Sequence, residues 1–293
     1  MKSKYKEALF YKKLKNKLVQ CNACNRLCII SQEGTGFCKV RKNIDGTLYS
    51  LVYGRPVAIN IDPIEKKPIF NFLPKTFTLS FGTYGCNFDC SFCQNYDISN
   101  AKSQEKINKI KEIKPEEIVS LALKNNCPSI SYTYTEPTIF VEYALETMKL
   151  AKKARLSNIW VTNGFMTSIV AKEVVKYLDA VNIDLKGDKD FYKRLINNAD
   201  VTQVLKNISF FYKKGVHIEV TNLLIEGENT TPTQIEWICK EIGKISKDIP
   251  LHFSRSYPYY KMQDICPTNI ATLKLAERIA KKEGIKKVYL GNI

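Results

Sequence analysis

The 293-residue sequence has only two histidines, His217 and His252, and no apolar run near the ~18 residues that span a bilayer. The first shortage leaves a thiol loop elsewhere in the chain without a nearby imidazole. The second argues against a membrane-spanning helix. The N-terminal stretch, Met1 to Lys17, carries lysines but no apolar core segment, so it is not a secretory signal. The protein is therefore expected in the cytoplasm, away from the membrane. No arginine-rich stripe with interleaved aromatics stands out either, although the formal net charge is +16. Such a field favours anionic partners. Lysine far outnumbers arginine, however, and a lysine-rich composition explains the charge more simply than nucleic-acid binding does.

Cysteine is what the chain has in abundance. It has ten, and in a reducing compartment clustered cysteines point to metal rather than to disulfides. Seven fall in two groups: Cys21, Cys24, Cys28 and Cys38, then Cys86, Cys90 and Cys93. Cys127, Cys239 and Cys266 are scattered and read as plain thiols.

Residues 5–18 place Ala8, Leu9, Leu14 and Leu18 near helical spacing, which predicts a short amphipathic helix. Asp45-Gly46 is a turn signal and predicts a hairpin over 45–62. Pro63, Pro68 and Pro74 mark an irregular connector. From residue 77, β-rich runs at 77–83, 129–135, 158–163, 180–186, 216–225, 250–255 and 287–292 alternate with helical stretches. These helices are expected at 114–126, 138–154, 167–178, 231–245 and 269–282. Alternation of this kind predicts an α/β fold, a partial (open) βα barrel of about six parallel strands. The expected division is 1–75, a cysteine-rich extension with helix, metal knuckle and hairpin, and 76–293, the barrel. A flat doubly wound sheet is the alternative. Polar residues collect just after successive strands, where parallel α/β folds carry their sites.

The loop GTYGCNFDCSFCQN holds Cys86, Cys90 and Cys93 in a C-x3-C-x2-C spacing. Three thiolates suit a soft metal or an iron–sulfur cluster, whereas a structural zinc needs a fourth ligand. A 4Fe–4S cluster on three cysteines leaves one iron open to a small molecule. Cys21, Cys24, Cys28 and Cys38 are spaced C-x2-C-x3-C-x9-C, a closed four-thiol set. It suits a structural zinc or an auxiliary iron–sulfur cluster; free thiols and a nucleic-acid-binding zinc knuckle are further readings.

The first of these motifs resembles the signature of radical S-adenosylmethionine enzymes, with Phe92 matching the usual aromatic before the third cysteine. The resemblance implies a 4Fe–4S cluster whose open iron chelates S-adenosylmethionine and whose electron cleaves it to a 5′-deoxyadenosyl radical. TYTEPT (133–138) resembles the segment that meets the methionine ammonium, which implies Glu136 as its partner with Thr135 helping. The other reading of Glu136 is a helix-start carboxylate before Pro137. VTNGF (161–165) and NIDLKG (182–187) resemble glycyl-radical-enzyme activating enzymes. By that likeness Asn163 lines the cofactor cavity, Asp184 lies near the methionine or a cation, and Lys186 pairs with the methionine carboxylate. A surface ion pair is the plainer reading of Asp184 and Lys186. Val161 departs from the aspartate that pyruvate formate-lyase activating enzymes carry there, which weakens the case for a cation site built on two aspartates. HFSRSYPYYKM (252–262) resembles a late strand of the same enzymes and makes His252, Arg255 and Tyr257 candidates for the cofactor site.

From residue 20 to 293 the chain resembles the AmmeMemoRadiSam-system radical enzymes, a pyruvate formate-lyase activating enzyme-like family. Such proteins often continue past YLGN into a cysteine-containing tail, and no site built from such a tail is expected before Ile293. The resemblance implies an anaerobic oxidoreductase served by an electron donor such as a flavodoxin or ferredoxin. Its radical would act on a glycyl-radical enzyme, or on another protein, an RNA or a small molecule. A non-catalytic metal–thiolate module for nucleic acid or protein is the alternative class.

Overall fold

A computed structural model of the chain describes residues 5–100 and 103–293. The first four residues of the expected extension lie outside them. Six short strands open the chain: β1 (Lys6–Glu7), β2 (Tyr11–Lys13), β3 (Val19–Cys21), β4 (Ile29–Ile30), β5 (Arg41–Ile44) and β6 (Thr47–Ser50). They form two three-stranded antiparallel sheets, ordered β2-β3-β4 and β1-β6-β5. The helix expected over 5–18 is not there. Ala8 is buried while Leu9 and Leu14 are exposed, so the supposed apolar face does not exist. Phe10, Asn16 and Lys17 all have positive φ, which no α-helix accommodates. The hairpin also begins earlier than its turn signal suggests. Asp45 and Gly46, both at positive φ, join β5 to β6, as a tight two-residue hairpin turn requires.

The main sheet has eight strands in the order of the chain. β7 (Pro56–Pro63) pairs antiparallel with β8 (Phe77–Thr83). The parallel strands then follow: β9 (Ser129–Tyr132), β10 (Ser157–Thr162), β11 (Ala180–Asp184), β12 (His217–Leu224), β13 (Leu251–Arg255) and β14 (Val288–Gly291). Seven parallel strands in sequential order, with β7 and β14 at opposite edges, make a partial barrel. The parallel count exceeds the expected six by one.

Helices α1 (Tyr96–Ser99), α2 (Gln104–Asn108) and α3 (Pro115–Lys124) separate β8 from β9. Then α4 (Val141–Lys153), α5 (Ser168–Val174), α6 (Lys189–Leu195), α7 (Val201–Lys213), α8 (Pro232–Ile245) and α9 (Ile270–Lys282) alternate with the later strands. Their starts are written in the sequence: Thr167, Asp188, Asp200, Thr231 and Asn269 each accept a backbone N–H from the first turn. Among the described residues no helix is long and apolar enough to cross a membrane.

Side chains alternate across the strands, so every second residue faces the barrel interior. The interior is closed at the strands' N-terminal ends by residues 64–73. Ile64 and Ile69 pack there against Ile159 and Ala180 in a small separate core, and Asn182 donates to the Pro68 carbonyl. Asn71 reaches across to β14, accepting from Lys287 and the Tyr289 hydroxyl. With that end filled, the cavity opens at the strands' C-terminal ends.

Candidate active site

A cavity of about 770 Å³ occupies that end of the barrel. Cys86, Cys90 and Cys93 line it, along with Phe92, Glu136, Asn163, Asp184 and Lys186. Eight of the residues picked from the sequence are thus brought together. All three thiols are uncrosslinked.

The thiol loop leaves the end of β8 and is held from several sides. Gly82 is needed because a Cβ there would meet the Thr133 carbonyl at 2.3 Å. Gly85 has φ +95, and a Cβ would strike the Cys38 carbonyl at 2.7 Å. Arg26, from the N-terminal sheets, donates to the carbonyls of Asn87, Ile196 and Asn197. Ser91 N–H bonds the Leu195 carbonyl, and Lys261 Nζ pairs with Asp89 at 2.9 Å. The Phe88 N–H points at Cys86 Sγ, 3.4 Å away. Burial pushes the Cys86 thiol far up, with Glu136 adding to the effect, and pushes Cys90 up to about 12 against the pull of Lys186. Ligation by a soft metal must therefore expel protons. Three uncrosslinked thiols on a wrapped loop, Cys90 buried and Cys86 and Cys93 half-buried, with a backbone donor facing one sulfur, fit a cluster that has a free iron.

Glu136 follows β9, whose last residue is Tyr132, and is 1 % exposed. Its carboxylate accepts from Thr138 N–H and hydroxyl, from the Thr162 hydroxyl at both oxygens, and from Asn163 N–H at 2.8 Å. It caps the helical turn at Pro137–Phe140, as the helix-start reading expects, and it also lines the cavity. Burial raises its pKa against those donors. Asn163 donates through Nδ2 to Asn87 Oδ1 at 2.6 Å, and the same nitrogen lies 4.0 Å from Cys86 Sγ. Lys186 pairs with Asp184 at 2.9 Å and stands over the Phe92 ring. Burial opposes its charge, but Asp184 and Cys90 outweigh that and raise its pKa.

Three candidates lie elsewhere. His252 faces the interior of β13, but two residues earlier than Ser254, which does line the cavity. That step puts His252 at the closed end, bonded to Glu219 at 2.6 Å. Arg255 alternates to the other face and donates to the Thr268 carbonyl and the Tyr257 hydroxyl. Tyr257 bonds the Asn292 carbonyl, whereas Asn292 itself lines the cavity.

Sequence reasoning missed the wall supplied by β7 and its continuation: Asn60, Asp62, Lys66, Lys67 and Pro68. Asp62 accepts from Lys67 and from the Tyr134 hydroxyl, each at 2.7 Å, and Asn60 donates to Tyr134. An alternating NID run ahead of paired lysines was the available signal, but the run fell at the end of the expected hairpin and the lysines in the connector.

Fold and site together define a βα-barrel protein whose cavity is headed by three free thiols. Comparison with known proteins carries this further. Residues 81–235 match the family model of the Radical SAM superfamily. The uncharacterized protein MJ0808 of Methanocaldococcus jannaschii is 43% identical over 291 residues, covering 98% of this chain and 85% of that protein. A radical SAM methyltransferase from Sphaerobacter thermophilus superposes with TM-score 0.58 at 13% identity, over 75% of this chain and 67% of that one. SuiB of Streptococcus suis bound to S-adenosylmethionine gives TM-score 0.52 at 14% identity, over 72% of this chain and 45% of that one.

The chain belongs to the radical SAM superfamily. It is accordingly an enzyme of radical chemistry, in which a 4Fe–4S cluster supplies the electron that cleaves S-adenosylmethionine.

Proposed function

We propose that Cys86, Cys90 and Cys93 carry the cluster and that the radical abstracts hydrogen from a glycine of a protein partner, as in glycyl-radical-enzyme activation. The observation behind this reading is the meeting of three uncrosslinked thiols with Glu136, Asn163, Asp184 and Lys186 round one cavity. Among the described residues lining that cavity there is no fourth cysteine and no histidine, which suits an iron left open to a ligand.

In this reading Glu136 accepts the ammonium of S-adenosylmethionine and Lys186 meets its carboxylate. Asp184 holds Lys186 charged and in place. Asn163 fixes the thiol loop through Asn87 and the carboxylate of Glu136 through its own N–H. Val161 presents an apolar wall where an activating enzyme of the pyruvate formate-lyase kind has an aspartate. An electron donor of the flavodoxin or ferredoxin class serves the site in a reducing, oxygen-poor cytoplasm. The likeness of VTNGF and NIDLKG to activating enzymes supports the glycyl target.

Anaerobic reconstitution tests the proposal. With iron, sulfide, dithionite and S-adenosylmethionine, the native chain should form 5′-deoxyadenosine and Cys90→Ala should not. Wild-type rates in Cys90→Ala would rule out the assigned ligands. Deuterium passing from a deuterated-glycine partner protein into deoxyadenosine would identify the target. Salt-dependent RNA binding without cofactor cleavage would replace the enzyme reading with a binding module.

A further inference from the structure

We infer that Cys21, Cys24, Cys28 and Cys38 hold an iron–sulfur cluster of their own, separate from the site at Cys86. Strand β3 ends in Cys21, whose N–H bonds the Cys28 carbonyl, and a turn closed from Leu27 N–H to the Cys24 carbonyl lies between them. Cys38 comes in just before β5. The four thiols are uncrosslinked and line one small cavity, with Arg41 and Asn87 among the other residues of its wall.

Those two residues carry the argument for an occupant. Arg41 is 1 % exposed; its Nη2 serves Glu142 and the Leu9 carbonyl, while Nε and Nη1 have no partner. Asn87 is fully buried and its Nδ2 has none either. Its amide orientation is fixed, because Oδ1 already accepts from Asn163. Leaving a buried donor unpaired is costly, because its lost hydration is not replaced. Three such atoms round one thiol-lined cavity call for an acceptor inside it, and sulfur bearing negative charge supplies one.

The cavity's size separates the two metals. Thiolates round zinc stand ~2.3 Å from the ion and so about 3.8 Å from one another, in mutual contact. No water-sized hole exists in such a set. Here the thiols line, with six other residues, a cavity of about 10 Å³, room that such a contact set does not leave. The set is too wide for one ion and suits a larger core, and four cysteines are the usual ligands of iron–sulfur clusters. Inorganic sulfide also adds acceptors for Arg41 and Asn87 that zinc lacks.

The test removes the other site first. The full chain carrying Cys86→Ser, Cys90→Ser and Cys93→Ser is purified anaerobically, and iron, acid-labile sulfide and zinc are measured. Iron and sulfide in equal amounts, with an electron paramagnetic resonance signal on reduction, are expected. Adding Cys24→Ser and Cys38→Ser should abolish all three. Zinc without sulfide, or no metal at all, overturns the inference. As a check on folding, Cys21→Ser with Cys24→Ser in the otherwise native chain should keep its circular dichroism and lose about half of its iron. Full iron in that folded variant also overturns it. Because the first variant lacks the Cys86 loop thiols, its result does not depend on what they bind.

Discussion

The Asn163 side-chain amide donates to Asn87 Oδ1 at 2.6 Å, and its backbone N–H donates to Glu136 at 2.8 Å. One residue at the end of β10 therefore holds both the thiol loop and the buried carboxylate. Its side chain acts on the loop and its backbone on the carboxylate, so a substitution separates the two. Asn163→Ala leaves the Asn87 carbonyl buried without its donor, at a cost of ~1–3 kcal/mol. Cluster loading, followed as iron and sulfide bound per chain, should fall while S-adenosylmethionine affinity of the loaded fraction changes little. Unchanged loading would mean that Arg26, Ser91 and the Lys261–Asp89 pair hold the loop without Asn163.

Glu136→Gln keeps the shape but removes the charge. A hydrogen bond to a charged group contributes ~1.5–3 kcal/mol, so affinity for S-adenosylmethionine should fall about 10- to 100-fold by equilibrium binding. The Thr138 cap survives in part, because the glutamine carbonyl still accepts. If Glu136→Ala and Glu136→Gln bind the cofactor as tightly as the native chain, Glu136 is a helix cap only.

Lys186→Met should weaken cofactor binding and also release Asp184 from its partner. Lys186→Arg preserves the charge but carries a planar fork over the Phe92 ring in place of a compact ammonium. Partial rescue by arginine, read as recovery of binding with the thermal midpoint unchanged, is expected. If methionine and arginine behave alike, the pair is a local ion pair with no part in the site.

The barrel was legible where its periodicity was local. The run FTLSFGT coincides with β8, and the helices at α3, α4, α8 and α9 fall within the predicted stretches. Helices α6 and α7 went unread between two clear strands, where Asp188 and Asp200 were the missed caps. The extension misled because its strands pair at long range: Lys6 with Ser50, and Tyr11 with Cys21. Four apolar residues at near-helical spacing carry no mark of such partners. The thiols stood out by their spacing, and Glu136 and Lys186 by the resemblance of TYTEPT and NIDLKG to known segments; the fold brings them round one cavity. The β7 wall was not, since only the fold brings Asp62 and Lys67 to the cavity.

His252 was misplaced for a reason that itself predicts behaviour. The chain's two histidines flank one buried carboxylate: His217 bonds Glu219 Oε1 at 2.9 Å and His252 bonds Oε2 at 2.6 Å. Phe70 and Asn71 N–H groups complete the set, so Glu219 pins residues 64–73 into the closed end of the barrel. Burial disfavours its charge, but the histidines and the Asn71 N–H outweigh that and bring its pKa from 4.5 down to about 2. A carboxylate whose folded pKa is depressed stabilises the fold above its unfolded value and stops doing so as pH falls through the folded one. The contribution is of the order of 3 kcal/mol, complete above about pH 4.5 and more than half lost by about pH 3. Urea unfolding of the metal-free chain at pH 5 and pH 3 should show this fall, and Glu219→Gln should be less stable at pH 5 with a flatter dependence. Parallel curves for the two proteins would show that acid unfolding starts elsewhere, with Asp62 at the open end, whose pKa is lowered because the Lys67 and Tyr134 bonds outweigh its burial, the next to test.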